Sequence, residues 1–182
     1  MNCESIRGSE IKLFTPRIFN DHRGNFFESW NEQSFSSFGI FATFVQDNQS
    51  VSKKGVLRGL HYQIEQTQGK LVRVADGAAF VVAVDLRRCS KLFGNAFCTE
   101  LDSTHNQSLW VPAGFAHGYL ALAENTCFLY KCTDFYAPQH ERTLLWNDQA
   151  IDIKWPIDRV AEIIISDRDA IGKSLSEAEL FA

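Results

Sequence analysis

No C-x-x-C pair, no apolar run approaching the length of a membrane span, and no excess of basic charge occurs in this 182-residue sequence. Each absence removes a class of protein. The five cysteines, Cys3, Cys89, Cys98, Cys127 and Cys132, are odd in number and lack paired spacing. They read as reduced, mostly buried thiols, which makes a cytoplasmic location the expectation. Without a membrane-length run, no membrane partner is expected. A net charge of −4 gives no support to nucleic-acid binding, which normally needs a basic face. Any phosphate-binding charge must therefore be a local cluster in an acidic chain. The opening Met1-Asn2-Cys3-Glu4 lacks the basic-then-apolar pattern of a secretory signal. There are no repeats, low-complexity tracts or Pro/Gly/Ser-rich linkers, so the length points to one domain over residues 1–182.

What is present argues for a β-rich interior. Hydrophobic residues make up 45% and aromatics 13%, too much apolar surface for a disordered chain, and fifteen Phe with four Trp suit strands. Strand patterns begin at Ile11–Phe14 and, after an Asp21-His22-Arg23-Gly24-Asn25 turn, at Phe26–Trp30. Asn31–Phe38 reads as a short helix. Then come Phe44–Ser50, Val56–Gln63, Lys70–Ala75, Ala79–Asp85, Ala96–Leu101, Ser108–Val111, Gly118–Ala123, Thr126–Thr133 and Thr143–Leu145. Only the tail, Asp167–Phe181, again looks helical. Short strands at close spacing with turn residues between them predict an all-β jelly-roll barrel with a few short peripheral helices.

The chemistry sits on those strands. Arg58-Gly59-Leu60-His61-Tyr62-Gln63 and Gly69-Lys70-Leu71-Val72-Arg73 put an imidazole, an ammonium and two guanidiniums into apolar, strand-like sequence. Side chains alternate across a strand, so His61 shares a face with Gln63, Lys70 with Val72 and Val74, and Tyr130 with Phe128 and Cys132. If those faces line the interior, His61, Lys70 and Tyr130 converge on one cavity. A lone core histidine is more often structural than catalytic, but Arg58 and Lys70 nearby favour a base, and imidazole suits proton abstraction near neutrality. Lys70, after Gly69, can project into a pocket and stabilise an oxyanion, although most lysines snorkel to the surface. Tyr130 taken alone is a core aromatic; facing the cavity, it could return a proton from the side opposite His61. Arg58, inside an apolar strand, would be costly unpaired, and a bound phosphate is a suitable partner. Arg23 on its turn carries less weight alone.

Val111-Pro112-Ala113-Gly114-Phe115-Ala116-His117-Gly118-Tyr119 places a further histidine on a Pro/Gly-punctuated turn. Pro112-Ala113-Gly114-Phe115-Ala116-His117 matches the second half of a metal-binding cupin pattern. The first half fails, with Gln63 where the second histidine of H-x-H belongs. Two histidines make a poor transition-metal site, and Glu65, which could complete one, precedes a polar loop. The metal-free reading is preferred.

Taken together, these residues resemble the nucleotide-sugar 3,5-epimerase family, specifically the dTDP-4-dehydrorhamnose 3,5-epimerases. The resemblance rests on Phe19 to Glu28, Gln46-Asp47-Asn48, Arg58-Gly59-Leu60-His61, Gly69-Lys70-Leu71-Val72-Arg73 and Val82-Ala83-Val84-Asp85-Leu86-Arg87. It continues in Leu109-Trp110-Val111-Pro112, His117-Gly118, Phe128-Leu129-Tyr130-Lys131, Leu145-Trp146-Asn147-Asp148 and Ser166-Asp167-Arg168-Asp169. The resemblance implies a cupin-type jelly roll working as a homodimer on a nucleotide-diphosphate sugar, with no metal and no organic cofactor. It implies His61 as general base, Tyr130 as general acid, Asp169 as the carboxylate paired with His61 (Asp167 being a second carboxylate close by), and Lys70 beside the enolate oxygen. Arg23, Arg58 and Gln46 would hold the diphosphate, with Asn48 nearby. Phe19, Phe26 and Glu28 would meet the nucleoside, partly across the dimer. His117, Tyr136, Glu141 and Gln63 would line the sugar and nucleotide site. The family has Lys where this chain has Arg168. The implied reaction inverts C3 and C5 of dTDP-4-dehydro-6-deoxy-D-glucose. A single-centre epimerase or a 3,4-ketoisomerase acting on another 4-keto sugar is the alternative.

Overall fold

The structure is a computed structural model that describes residues 1–182. In chain order its strands are β1 (Asn2–Ser5), β2 (Lys12–Thr15), β3 (Ile18–Asp21), β4 (Gly24–Phe27), β5 (Gln46–Ser52), β6 (Leu57–Gln63), β7 (Lys70–Asp76), β8 (Ala78–Asp85), β9 (Ala96–Asp102), β10 (Ser108–Val111), β11 (Phe115–Ala121), β12 (Thr126–Cys132) and β13 (Glu141–Thr143). Two short helices, α1 (Glu32–Ser36) and α2 (Asp167–Ala170), lie outside them. A six-stranded sheet runs β1-β2-β10-β7-β12-β5, and a five-stranded sheet runs β13-β6-β11-β8-β9. The two sheets pack face to face as a jelly roll, while β3 and β4 form a separate hairpin.

Alternation explains the layering. Val81 and Ala83 on β8 point inward, to Val72, Val74 and Phe128 from the six-stranded sheet. Val82 and Val84 point outward, yet they too are buried, under Leu86, Trp155, Leu175 and Phe181. With both faces covered, β8 and β11 read as near-continuous apolar runs rather than alternating ones. Burial of each such side chain is worth about 1.5–3 kcal/mol, so an aspartate at Val82 would strike the middle of the second core. A third, smaller cluster of Phe14, Phe35, Ile40 and Leu71 seats α1 on the outer face of the six-stranded sheet. Asn31 caps α1, its side chain accepting from the Ser34 amide at 3.1 Å.

Several sequence expectations shift. Strands β1 and β3 are additional to those predicted. The turn expected around His117 is the interior of β11, which starts at Phe115, so His117 is a buried strand residue. Strand β13 lies two residues earlier than Thr143–Leu145. The tail helix expected over Asp167–Phe181 is a single turn, Asp167–Ala170. Beyond Gly172 the chain is extended or turned, with the Leu145 amide donating to the Lys173 carbonyl and the Phe181 amide to Leu86. Tertiary pairing of Leu175, Ala178, Leu180 and Phe181 with the outer core overrides local helix propensity there.

Candidate active site

A cavity of about 740 Å³ opens between the sheets, within the range of small-ligand sites. Register explains its lining. On the six-stranded wall Lys70 pairs with Cys132, and Tyr130 pairs with Val72 on one side and Asn48 on the other. Gln46, Asn48, Lys70, Tyr130 and Cys132 therefore share one inward face. On the opposite wall His61 pairs with both His117 and Thr143, Arg58 with Tyr119, and Gln63 with Glu141.

Arg58 and His61 are three apart, a spacing that puts side chains on opposite faces of a regular strand. A register shift between His117 and Tyr119 corrects it: two residues, Gly59 and Leu60, face the single Gly118. Glycine is required at both ends of this crossing. Gly59 has φ +110°, and a Cβ there would lie 2.7 Å from the His117 carbonyl oxygen; a Cβ on Gly118 would lie 2.5 Å from the Arg58 carbonyl oxygen.

His61 Nε2 lies 2.6 Å from Asp169 Oδ1. Asp169 Oδ2 accepts from the Gly59 amide at 3.1 Å, and Ser166 Oγ caps α2 by accepting from the Asp169 amide at 3.2 Å. Asp169 is only 4% exposed. Burial opposes its ionisation, but the hydrogen bond and charge of His61, the Gly59 amide and Arg168 outweigh it and hold the carboxyl below its usual range. An ionised carboxylate only accepts, so His61 Nε2 carries the proton and Nδ1 has the free lone pair. Asp167, by contrast, is exposed.

Burial lowers the Lys70 ammonium below the usual lysine value, against the pull of Cys132 and Glu141, which sharpens it as a donor toward a forming anion. Burial raises the Tyr130 phenol, with Cys132, Tyr119 and Glu141 adding and Arg58 opposing; the phenol stays protonated and able to donate. His117 is pushed well below an ordinary histidine by burial and by the charges of Lys70 and His61. It stays neutral, and its buried Nε2 has no hydrogen-bond partner within the chain.

Tyr136, Glu141 and Arg168 form a network at the mouth. The Tyr136 hydroxyl donates to Glu141 Oε2 at 2.5 Å, and Arg168 forms an ion pair with Glu141 Oε1. Burial works against the Glu141 charge, but the Tyr136 and Arg168 bonds hold its carboxyl below the usual value. Sequence marked Arg168 only by its place before Asp169 and by the lysine the family carries there; its pairing with Glu141 was not visible. Gln46 accepts from the Tyr136 amide at 2.8 Å and donates to Asn48 at 3.0 Å.

Other expected site residues stand differently. Gln63 lines the cavity, but its amide is committed to the main chain: Nε2 donates to the Gln66 and Phe135 carbonyls at 2.7 and 3.2 Å, and Oε1 accepts from the Ala137 amide at 2.9 Å. It shapes the mouth rather than offering a free hydrogen bond. Arg58 is exposed on the cavity side, not buried in apolar surroundings; the register shift turns it toward the opening, so the cost of an unpaired buried guanidinium does not arise. Phe19, Arg23, Phe26 and Glu28 lie outside this cavity. They belong to the β3–β4 hairpin and its exit, Phe26 is 70% exposed, and Arg23 is engaged with Asp21 at 2.6 Å. Glu65 faces His140 at 3.6 Å in an exposed setting, apart from His61 and His117. No group of three or more His, Cys, Asp or Glu side chains is arranged to hold a metal ion.

A family model described as dTDP-4-dehydrorhamnose 3,5-epimerase matches residues 6–177. A dTDP-4-dehydrorhamnose 3,5-epimerase of Pseudomonas aeruginosa is 50% identical over 182 residues, covering 100% of this chain and 99% of that protein. The crystal structure of a Legionella pneumophila dTDP-6-deoxy-D-glucose-3,5-epimerase in complex with dTDP-4-keto-L-rhamnose superposes with a TM-score of 0.92 at 42% identity, covering 96% of this chain and 93% of that one. A 3′-monoepimerase from Streptomyces bikiniensis, in complex with dTDP-quinovose, has a TM-score of 0.88 at 33% identity, covering 98% and 89%.

Proposed function

The chain belongs to the dTDP-4-dehydrorhamnose 3,5-epimerase family, and from that premise we propose that His61, Tyr130, Asp169 and Lys70 are its reacting groups. The reaction is epimerisation at C3 and C5 of dTDP-4-dehydro-6-deoxy-D-glucose, giving dTDP-4-dehydro-L-rhamnose. The C4 ketone acidifies the hydrogens on both neighbouring carbons. His61 Nδ1 removes one, and the electron pair moves onto the C4 oxygen as an enolate. Asp169 fixes the imidazole tautomer and offsets the charge of the imidazolium that forms. Lys70 stabilises the enolate oxygen in a water-poor cavity. Tyr130 then protonates the carbon from the other side, and the centre is inverted.

The observation that carries this reading is the position of His61 and Tyr130 on facing sheets. Packed sheets lie about 10 Å apart, enough for a hexose ring between a base on one wall and an acid on the other. Arg58, Gln46 and Asn48 on the cavity side suit the diphosphate, which fixes the ring's orientation. His117 Nε2, buried and unpaired, suits a sugar oxygen, and Tyr136 with Glu141 suits the nucleotide end. Phe19, Arg23, Phe26 and Glu28 are solvent-facing in the monomer, which supports a homodimer in which the hairpin reaches the partner's cavity. The reading places the enzyme in the cytoplasm and routes no step through a metal or organic cofactor, so activity should survive exhaustive chelation.

The test is incubation with dTDP-4-dehydro-6-deoxy-D-glucose in deuterated water. Label is expected at C3 and C5 of the product. Label at one carbon alone would make the chain a monoepimerase like its Streptomyces relative; wild-type exchange in His61→Ala would remove His61 as the base.

A further inference from the structure

Beneath the groups assigned above runs a chain of hydroxyls that the proton transfers do not use. Arg58 Nε donates to Ser52 Oγ at 3.1 Å. Ser52 Oγ lies 3.0 Å from the Tyr119 hydroxyl, which lies 2.9 Å from Ser50 Oγ. Ser52 is 2% exposed and Tyr119 4% exposed. The phenol is held flat against Phe128, ring centroids 4.1 Å apart and planes 9° from parallel. The chain joins the two sheets, since Ser50 and Ser52 are on β5 while Arg58 and Tyr119 are on β6 and β11.

Donor chemistry fixes the first bond of the run. A guanidinium only donates, so Ser52 Oγ accepts. With Ser52 donating to Tyr119 and Tyr119 to Ser50, each hydroxyl of the run donates once. In that arrangement the Ser50 proton is left for the cavity, which Ser50 lines. A charged donor at one end polarises each hydroxyl in turn. Arg58 has no carboxylate partner, and its terminal nitrogens make no bond within the chain, so Nε is the point that fixes its fork. With Nε held, both terminal nitrogens can meet two oxygens side by side.

We infer that Ser52 and Tyr119 are positioning residues for the Arg58 guanidinium, and that Ser50 delivers a hydroxyl proton to the same anionic part of the ligand. This rests on the reading that Arg58 grips the diphosphate. The experiment is calorimetric titration of dTDP and of thymidine into wild type, Ser52→Ala, Tyr119→Phe and Ser50→Ala, each also in an Arg58→Ala background. The dTDP dissociation constant rises about tenfold in Ser52→Ala and about threefold in Tyr119→Phe and Ser50→Ala. Thymidine affinity is unchanged, and in the Arg58→Ala background Ser52→Ala and Tyr119→Phe add nothing. Unchanged dTDP affinity in both Ser52→Ala and Tyr119→Phe overturns the inference, as does an equal loss for thymidine, which marks a merely structural role. If Arg58→Ala itself leaves dTDP affinity intact, the diphosphate reading falls and this inference falls with it. Ser52→Ala, which removes one small oxygen, keeps the test open should Tyr119→Phe fail to fold.

Discussion

The barrel cavity and the β3–β4 hairpin both carry candidate site residues but are built to different degrees. On the walls His61, Lys70 and Tyr130 are fixed by strand register and burial, and Asp169 on α2 holds His61 from behind. On the hairpin Phe19, Phe26 and Arg23 are exposed, and Arg23 is occupied by its neighbour Asp21. Groups that move protons must be in place before the substrate arrives, whereas groups that grip a nucleotide can be supplied by a second copy of the chain. Under the proposed homodimer, the difference would separate chemistry held in one protomer from nucleotide binding that a second copy helps to complete.

The sharpest way to break that division is at the walls. His61→Asn is expected to lower turnover by about 10³–10⁴-fold and abolish exchange at C3 and C5, read by NMR in deuterated water; retained exchange would place the base elsewhere. Tyr130→Phe should lower formation of the inverted product by about 10²-fold while leaving exchange measurable, and an unaffected product yield removes the phenol from the mechanism. On the hairpin, Arg23→Ala should weaken dTDP binding about tenfold with little change in melting temperature, since its exposed pair with Asp21 adds little stability. Mixing inactive His61→Asn with Arg23→Ala chains sharpens the comparison. Random exchange of subunits restores one intact site per mixed dimer, about a quarter of all sites; no recovery after refolding the mixture would return the hairpin to its own barrel.

The smallest effect concerns acid stability. The Asp169 carboxyl titrates below its ordinary value when folded. Its contribution to stability is therefore present above the ordinary carboxyl range and is lost as pH falls through the folded value. Asp169→Asn should show a shallower loss of urea stability than wild type on acidification from pH 7 to pH 3, and parallel curves would mean that the dyad contributes nothing to stability.

Much of this was legible in the sequence because strands advertise themselves by alternation. Lys70, Val72 and Val74 could be placed on one face by counting, as could Phe128, Tyr130 and Cys132. Arg58 with His61 could not: their odd spacing shares a face through the register shift at Gly59, and the glycine pair 59 and 118 was its sequence trace. His117 was misplaced because Pro112 and Gly114 punctuate the chain just before β11, and Phe115 already pairs with Asp85. The tail was misread because a charged, locally helix-compatible stretch is drawn into extended contact with the outer sheet. Asp169 is more than a hundred positions from His61, and only the resemblance joined them before folding did. The hydroxyl run through Ser52 and Tyr119 was invisible for the same reason, since serines and tyrosines in strands are common and their pairing depends on three strands meeting.

Gln63 occupies the position where a metal-binding barrel would carry a histidine, and three main-chain groups depend on its amide. A neutral imidazole has one donor and one acceptor nitrogen, so it could not replace all three bonds, and the rim around Tyr136 would lose at least one of them. A ligand sphere at this position would therefore need the rim rebuilt as well as a histidine added.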